Sequence, residues 1–294
     1  MRKIFSLALV AALFQLGSVS AQTPGAGAQA YPAKQVRFIV PFGAGGGVDI
    51  FSRTLAQRMR EQSGYTIVVE NIPGADGNIG ADLVAKLRPV STISTGPHVL
   101  VVSAKLPVKN IPELIDYARA NPGKVSFASA GTGGTAHLGM EMFKALSKTD
   151  VIHVPYKGSA GAVNDLISGE VSAMFSSLPS LQGLADKGLV KVLAATAPSK
   201  SAATKSLPLI STSLPGFDYT TWYAMYAPLA TPKPIVDSIN AALTKALKNT
   251  AMAAKIEAAG TELQPGSPEE VMAWTQRDTD KWARVIRDAK ISVE

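Results

Sequence analysis

The sequence predicts an α/β fold with two sheet-containing lobes and a ligand cleft between them. Short apolar, β-branched runs alternate with helical segments twice along the 294 residues, which is typical of sheets flanked by helices. Two glycine-rich turns, Pro41–Asp49 and Ser129–Thr135, each lie between a strand-like and a helix-like segment. Because ligands of such sheets bind beyond the carboxyl ends of the strands, the two turns predict where the cleft lies.

The N-terminal residues carry the features of a targeting segment. Met1–Lys3 is basic, Ile4–Phe14 is an apolar run too short to span a bilayer, and a small-residue cleavage site ends at Ala21. We therefore predict a cleavable signal peptide over residues 1–21, a flexible leader over 22–30 and a periplasmic location; a retained anchor helix is the alternative.

Composition excludes several classes of protein. The chain contains no cysteine, which rules out a disulfide framework, a lipid-anchor thiol and thiolate metal sites. The net charge of +7 comes from scattered residues, so it favours encounter with small anions and gives no evidence for nucleic-acid binding. A hydrophobic content of 46% with 17% charged residues is that of a globular protein.

The elements follow from the pattern in chain order. The first alternation predicts strands over 36–40, 66–70 and 99–102, with helices over 49–60 and 79–87. The second predicts strands over 125–128, 151–155, 171–175 and 190–196, with helices over 112–120, 136–146 and 160–168. Asn110 is the expected N-cap of the helix over 112–120, and Ser267–Glu270 is a capping box ahead of the last helix.

The first glycine turn is a candidate anion cradle, that is, a turn whose backbone N–H groups bind an anion. Four of the five residues from Gly43 to Gly47 are glycine, which is more than a tight turn requires. A helix start offers unpaired backbone N–H groups and a positive dipole end, and glycine lets a ligand approach them closely. Asp49 follows in the first helical turn, where it either caps the helix or contacts the ligand directly.

The second glycine turn, Gly131–Ala136, matches the dinucleotide pattern G-x-G-x-x-A. The next strand ends in Val154–Lys157, however, and carries a lysine where the ribose-binding acid is required. We therefore predict that the hydroxyls of Ser129, Thr132 and Thr135 donate to a carboxylate instead. Lys157 either pairs with an acid group of the ligand or is solvated.

Catalytic and metal-binding signals are missing from the sequence. The three histidines have no metal-ligand spacing, and no nucleophile elbow is present. His137 opens a helix behind the second turn, where a structural or ligand-orienting role is expected. The sequence thus predicts a binding protein with two anion cradles, for a ligand with two or more acidic groups, and predicts no enzyme, cofactor or metal.

Several motifs resemble those of one known family. They are Val40–Asp49, Val69–Gly80, His153–Gly158, Asp165–Ser180 and Leu229–Pro232. In combination they are similar to the Bug family, the substrate-binding proteins of tripartite tricarboxylate transporters, from Tyr31 to the C-terminus. The resemblance implies a two-lobed, type II-like periplasmic binding protein, each lobe a mainly parallel sheet flanked by helices.

The resemblance also implies domain bounds and a function. Residues 31–101 and 225–294 would form lobe 1, and residues 102–224 lobe 2. A monomer would capture an organic carboxylate between glycine turns of opposite lobes, partly through water, and deliver it to a membrane permease; a role in feeding a membrane sensor is the alternative. The predicted ligand-binding residues are Phe42, Gly43, Ala44, Gly45, Gly46, Asp49, Ser129, Thr132, Gly133, Thr135, His137, Tyr156, Lys157 and Ser176.

The sequence departs from the family pattern at one junction. Arg88 is joined directly to Pro89, where the family pattern has a strand and a long loop in the first lobe. We therefore predict that the first lobe lacks a strand-and-loop segment. A missing buried strand would leave ladder groups unpaired, so the chain would fold less stably or bind more weakly, or be a remnant without binding.

Overall fold

The computed structural model of the chain describes residues 35–44, 47–73, 87–258 and 260–291. The predicted signal peptide and leader, Gly45 and Gly46, and all but the last residue of the helix predicted over 79–87 lie outside these ranges. Among the described residues, no helix has the length and apolar character needed to cross a membrane.

Strands and helices alternate over most of the described chain. The strands are β1 (Val36–Val40), β2 (Ile67–Asn71), β3 (Leu87–Gly96), β4 (Val99–Ser103), β5 (Val125–Ser129), β6 (Val151–Pro155), β7 (Ala173–Ser176), β8 (Val190–Ala195), β9 (Thr221–Pro228) and β10 (Glu262–Leu263). The helices are α1 (Gly47–Ser63), α2 (Ile111–Ala120), α3 (Thr135–Ser147), α4 (Ser159–Ser168), α5 (Leu178–Ala185), α6 (Ile210–Ser213), α7 (Lys233–Leu247), α8 (Thr250–Ala258) and α9 (Pro268–Asp288).

The second lobe is built on a five-stranded sheet with the order β6-β5-β7-β4-β8. Strand β5 is parallel to β6 and β7, whereas β4 is antiparallel to β7 and β8. Successive residues of β4 are buried on opposite faces: Leu100 packs with Phe127 and Phe143 in one core, and Val101 with Leu166 in another. This sheet is therefore covered on both faces, as its apolar strands predict.

The first lobe contains two separate sheets among the described residues. Strands β1 and β2 form a parallel pair, and β10, β3 and β9 form an antiparallel sheet. One core joins them, with Leu55 and Met59 of α1, Val90 of β3, and Leu243 of α7. The predicted α/β class is thus confirmed. The prediction that each lobe has a mainly parallel sheet is wrong, because the first lobe combines a parallel pair with an antiparallel sheet and the five-stranded sheet of the second lobe is mixed.

The directions of the two strands that connect the lobes explain why the first lobe contains an antiparallel sheet. Strand β3 leads the chain out of the first lobe into β4, and β9 brings it back. Two neighbouring strands that cross in opposite directions pair antiparallel. Because β4 begins at Val99 in the second lobe and β9 begins at Thr221 in the first, both crossings fall a few residues before the predicted lobe bounds.

The last helix contacts both lobes. Near its centre, Asp278 Oδ2 accepts a hydrogen bond of 2.6 Å from Trp222 Nε1 on β9. One turn later, Trp282 packs against the core of the second lobe, with its ring 6.1 Å from that of Tyr219. The C-terminal half of α9 thus packs on the second lobe, although residues 225–294 were predicted for the first. At the other end of the helix, the predicted capping box of Ser267 and Glu270 is confirmed.

A ten-residue strand, β3, was not predicted from the sequence. It contains Pro89, four Ser or Thr residues and two register shifts, so no regular alternation marks it. Its hydroxyls bond to the loop before α9: Ser91 Oγ donates to Gly266 O at 2.9 Å, and Thr92 Oγ1 to Gln264 O at 2.5 Å. Buried hydroxyls in a strand are stable only with such partners, which lie far away in the sequence.

Gly139 allows α3 to approach the second lobe's core closely. A Cβ built at Gly139 would lie 2.7 Å from two ring atoms of Tyr219, a side chain that is fully buried. We expect Gly139→Ala to lower the free energy of unfolding by about 1–2 kcal/mol, because overpacking outweighs the gain in helix propensity. Urea unfolding would measure it.

Gly183 of α5 provides the matched control, since a Cβ there meets no atom within 4 Å. Gly183→Ala should raise the free energy of unfolding by about 0.5–1 kcal/mol. Equal stabilisation by both substitutions would contradict the close approach of Tyr219.

Candidate functional site

Three helices begin at one edge of the five-stranded sheet. Strands β6, β5 and β7 are neighbours, and helices α4, α3 and α5 start within a few residues of their respective carboxyl ends. The turns are joined, since Tyr156 N donates to Ser129 O at 2.9 Å and Gly158 N to Ala130 O at 3.2 Å. Three helix N-termini at adjacent positions present their positive dipole ends to the same region, which favours an anion.

Ser129 is engaged inside the second glycine turn. Its side chain is only 2% exposed, and Oγ lies 2.6 Å from His153 Nε2 and 2.9 Å from Gly131 O. Gly131 N also donates to Ser129 Oγ at 3.2 Å. The Ser129 hydroxyl, which was predicted to bind a ligand, therefore stabilises the conformation of the turn.

His137 also stabilises the second glycine turn. Gly133 N donates to His137 Nδ1 at 2.9 Å, so this backbone donor is already used within the protein. The His137 ring stacks on His153 with centroids 3.7 Å apart, and its Nε2 lies 3.7 Å from Glu141 Oε1. Thr132 is half-buried and Thr135 is exposed, so both remain at the surface of the turn.

Two histidines of the described chain have depressed pKa values. Burial lowers the pKa of His153 to about 4, and the neighbouring His137 lowers it further while Glu141 opposes the shift. Burial also lowers the pKa of His98 to about 4, and its Nδ1 lies 2.6 Å from Tyr219 Oη. Both rings are therefore neutral at pH 7 and act as hydrogen-bonding groups rather than as cations.

Tyr156, Lys157 and Ser176 follow the neighbouring strands. Tyr156 Oη donates to Asp165 Oδ2 at 2.5 Å, and burial, together with this carboxylate, raises the pKa of Tyr156 to about 12. Lys157 is exposed at the start of the following turn. Ser176 Oγ lies 3.2 Å from Ser180 Oγ at the start of α5.

A network of polar side chains is hydrogen-bonded to the first glycine turn. Asp49 is 3% exposed, and its Oδ1 lies 3.0 Å from Arg53 Nε. Arg53 Nη2 donates to Asn71 Oδ1 at 2.7 Å, and Asn71 Nδ2 donates to Phe42 O at 3.0 Å. Of the two roles considered for Asp49, this burial and pairing favour the structural one.

Sequence reasoning missed Arg53 and Asn71. The spacing of Asp49 and Arg53 by four residues on a helix was an available signal for the ion pair. Asn71 gave no local signal, because its partner Arg53 belongs to a different element. Gly43 and Ala44 are exposed above this network, while Gly45 and Gly46 lie outside the described residues.

A large cavity opens beside the first turn. Its volume is about 1510 Å³, and its outer part is bordered by Phe42, by His98 at the crossing, and by Ser177 and Ser180 at the start of α5. It thus brings the first turn opposite a helix start of the second lobe. The second turn, Tyr156 and Lys157 are not among the described residues that line it. No group of three potential metal ligands occurs among the described residues.

The fold matches solved periplasmic binding proteins. The structure of R. palustris Rpa4515 with adipate has a TM-score of 0.80 and 30% sequence identity, covering 89% of this chain and 99% of that one. The structure of the periplasmic binding protein BugD has a TM-score of 0.78 and 29% identity, covering 90% of this chain and all (100%) of that one. The class is therefore that of a periplasmic-type binding protein.

The sequence comparisons identify the family. Residues 82–291 match the model of the tripartite tricarboxylate transporter family receptor. The UPF0065 protein of the tcbD-tcbE intergenic region of Pseudomonas sp. strain P51 is 32% identical in an alignment 297 positions long, which covers 90% of this chain and 88% of the relative. The chain belongs to this receptor family. Because these homologues are periplasmic solute-binding proteins, the prediction of a binding protein rather than an enzyme is confirmed.

The low pKa values of His153 and His98 make stability depend on pH. The unfolded chain protonates these histidines near their ordinary pKa of 6.5, whereas the folded chain protonates them only near pH 4. The unfolded state thus binds more protons in this window, so stability is full above about pH 6.5 and falls as the pH approaches 4.

Urea unfolding at several pH values between 7.5 and 4.5 would measure this dependence. We expect His153→Gln to make it shallower, because Gln keeps a hydrogen-bonding partner for Ser129 without the titration. The range from pH 7.5 to 8.5 serves as the internal control, where no change from these groups is expected. A free energy of unfolding that stays constant down to pH 4.5 would contradict the assignment.

Arg53→Gln tests the network beneath the first turn. The substitution removes the guanidinium beside the buried Asp49 carboxylate, and we expect the free energy of unfolding to fall by about 1–2 kcal/mol, below the value for a fully buried pair because Arg53 is 52% exposed. Arg58→Gln, which breaks an exposed pair with Glu61 on the same helix, should change it by less than about 0.5 kcal/mol. Equal effects would argue against the network.

Proposed function

We propose that this chain captures an organic carboxylate in the periplasm and delivers it to a membrane permease of the tripartite tricarboxylate type. The observation that carries the proposal is the convergence of three helix N-termini at neighbouring strand ends, with a fourth, that of α1, behind the first glycine turn. The adipate bound to R. palustris Rpa4515, whose fold this chain shares, supports a carboxylate as the ligand.

In this proposal the predicted residues fall into two groups. Asp49, Ser129, Gly133, His137 and Tyr156 hold the turns through the hydrogen bonds described above. The remaining residues contact the ligand or its water through backbone N–H groups, hydroxyls and one ammonium; they are Phe42, Gly43, Ala44, Gly45, Gly46, Thr132, Thr135, Lys157 and Ser176.

Capture by backbone and hydroxyl groups suits a carboxylate that must be released again. Neutral donors at helix N-termini stabilise the anion without the strong bidentate hydrogen bonds that an arginine would form. The exposed Lys157 adds a positive charge at the mouth of the second-lobe turns, where it attracts the acid during encounter. The mature protein is proposed to begin after Ala21 and to act as a monomer.

Thermal unfolding of residues 22–294 against a panel of organic acids tests the proposal. A bound acid stabilises the folded state by about 2.7 kcal/mol at a concentration one hundred times its Kd, so the transition should move upward with one class of acid. No upward shift with any acid, in a chain that unfolds cooperatively, would contradict it.

Lys157→Met locates the effect at the site. We expect about tenfold weaker binding of the acid, since a charge-assisted hydrogen bond is worth about 1.5–3 kcal/mol. Lys187→Met removes another exposed lysine, two residues beyond the end of α5, and serves as the control. An equal loss of affinity in both variants would assign the effect to net charge alone. Crosslinking of the loaded protein in membranes distinguishes a permease from a sensor.

A further inference from the structure

The cavity beside the first turn continues into the interior of the first lobe. All eight residues from Gln35 to Phe42 line one side of it, and strand β9 lines another from Tyr223 to Pro228. Eight residues of extended chain span about 23 Å, so the cavity runs along the whole length of β1. Its volume of about 1510 Å³ exceeds the roughly 300–1,000 Å³ of most small-molecule sites.

The inner part of the cavity is a slot between two sheets. Among the described residues, β1 pairs with β2 and β9 pairs with β3, and the slot lies between β1 and β9. Its wall is formed by apolar side chains from the two strands and from helices α1 and α7. Those that define it best are Val36, Phe38, Phe51, Met59, Met225 and Ile239.

The charges around the slot limit what can enter it. Among the described lining residues, Arg37 is the only one whose side chain is Asp, Glu, Lys or Arg. Its guanidinium is already paired with Glu70, with Nε 2.7 Å from Oε1. The described part of the slot therefore offers no unpaired cation to a second acid group, and its mainly apolar wall favours an uncharged ligand part.

The slot reaches the proposed carboxylate site at the first turn and at the start of α5. Phe42, Pro97 and Ser180 line the same cavity as the inner residues Met59 and Ile239, whereas the second turn and Lys157 do not line it. A ligand whose acid group is held between the first turn and the start of α5 can thus extend an apolar tail into the first lobe.

We propose that the ligand is an amphipathic monocarboxylic acid whose hydrocarbon tail lies in the slot between β1 and β9. This proposal rests on the proposed function and names its substrate class. It replaces the expectation of a ligand with two or more acidic groups, because the inner cavity is apolar. Each further methylene that enters the slot should tighten binding about three- to fourfold.

A homologous series of ligands tests the proposal on the mature chain. Titration calorimetry would compare butanoate, hexanoate, octanoate and decanoate with adipate and with decanol. We expect the affinity to rise about tenfold or more for each two-carbon step from hexanoate to decanoate. Decanol, which lacks the acid group, should bind at least tenfold more weakly than decanoate.

Two slot variants localise the tail. Ile39→Lys places a cation in the slot, and Ala224→Trp fills it, since both positions line the cavity. Both should reduce the affinity for decanoate at least tenfold and leave that for butanoate within twofold. Ile39→Lys should also bind decanedioate more tightly than the unmodified chain does, a gain that a merely damaged fold cannot produce.

The matched controls carry the same changes elsewhere. Ile286→Lys on the exposed side of α9 and Ala254→Trp on the exposed side of α8 lie outside the cavity, and decanoate affinity should be unchanged. A loss of affinity equal to that of the slot variants would overturn the proposal. Thermal unfolding of each variant shows whether it is folded.

Three results separate this proposal from its competitors. Binding of short acids with no gain from chain length would overturn it and leave the proposed function standing. Binding of no acid at all would refute both. Among the described residues, neither β1 nor β9 pairs with a strand on the side of the slot, so an extended peptide is the competing occupant. Displacement of decanoate by an apolar peptide of alternating Val and Thr would assign the slot to a strand instead.

Discussion

The antiparallel pairing of the two crossing strands is the constraint on which the remaining architecture depends. Strand β3 leaves the first lobe and β9 re-enters it, and the two pair from Leu87 to Gly96. Trp222 of β9 is tied to Asp278 of α9, and Trp282, one turn later, packs on the second lobe's core. The crossing strands and the last helix thus form one packed unit between the two cores, which is why the first lobe cannot be a purely parallel sheet.

The glycine turns are shaped by side chains that sequence reasoning assigned to the ligand. His137 accepts the N–H of Gly133, Ser129 is bonded to His153, and Asn71 supports the carbonyl of Phe42. Such internal bonds hold the backbone of each turn before any ligand arrives, which reduces the entropy that binding must overcome. The groups that remain at the surface are backbone donors, two threonine hydroxyls and one lysine, a set that suits a carboxylate.

Prediction succeeded where the signal was local. Strands β1 and β6 have the predicted bounds, because an apolar, β-branched run buried on a sheet is visible in the sequence alone. The N-cap of Asn110, whose Oδ1 accepts from Glu113 N at 2.9 Å, is equally local. Strand β3 failed because its stability comes from Gly266 and Gln264, which lie more than 170 positions away. The segment predicted to be missing at the Arg88–Pro89 junction stays a prediction.

The sequence by itself determined most of the elements other than β3, the family and the positions of the two glycine turns, since each depends on residues that are neighbours in the chain. Only the tertiary structure decided which donors of those turns remain for a ligand, because Ser129 meets His153 across 24 residues and Arg53 meets Asn71 across 18. It also decided that the described strands of the first lobe form two sheets with a mainly apolar cavity between them. Strand pairing and cavities depend on contacts between distant residues, and periodicity along the chain carries no information about such contacts.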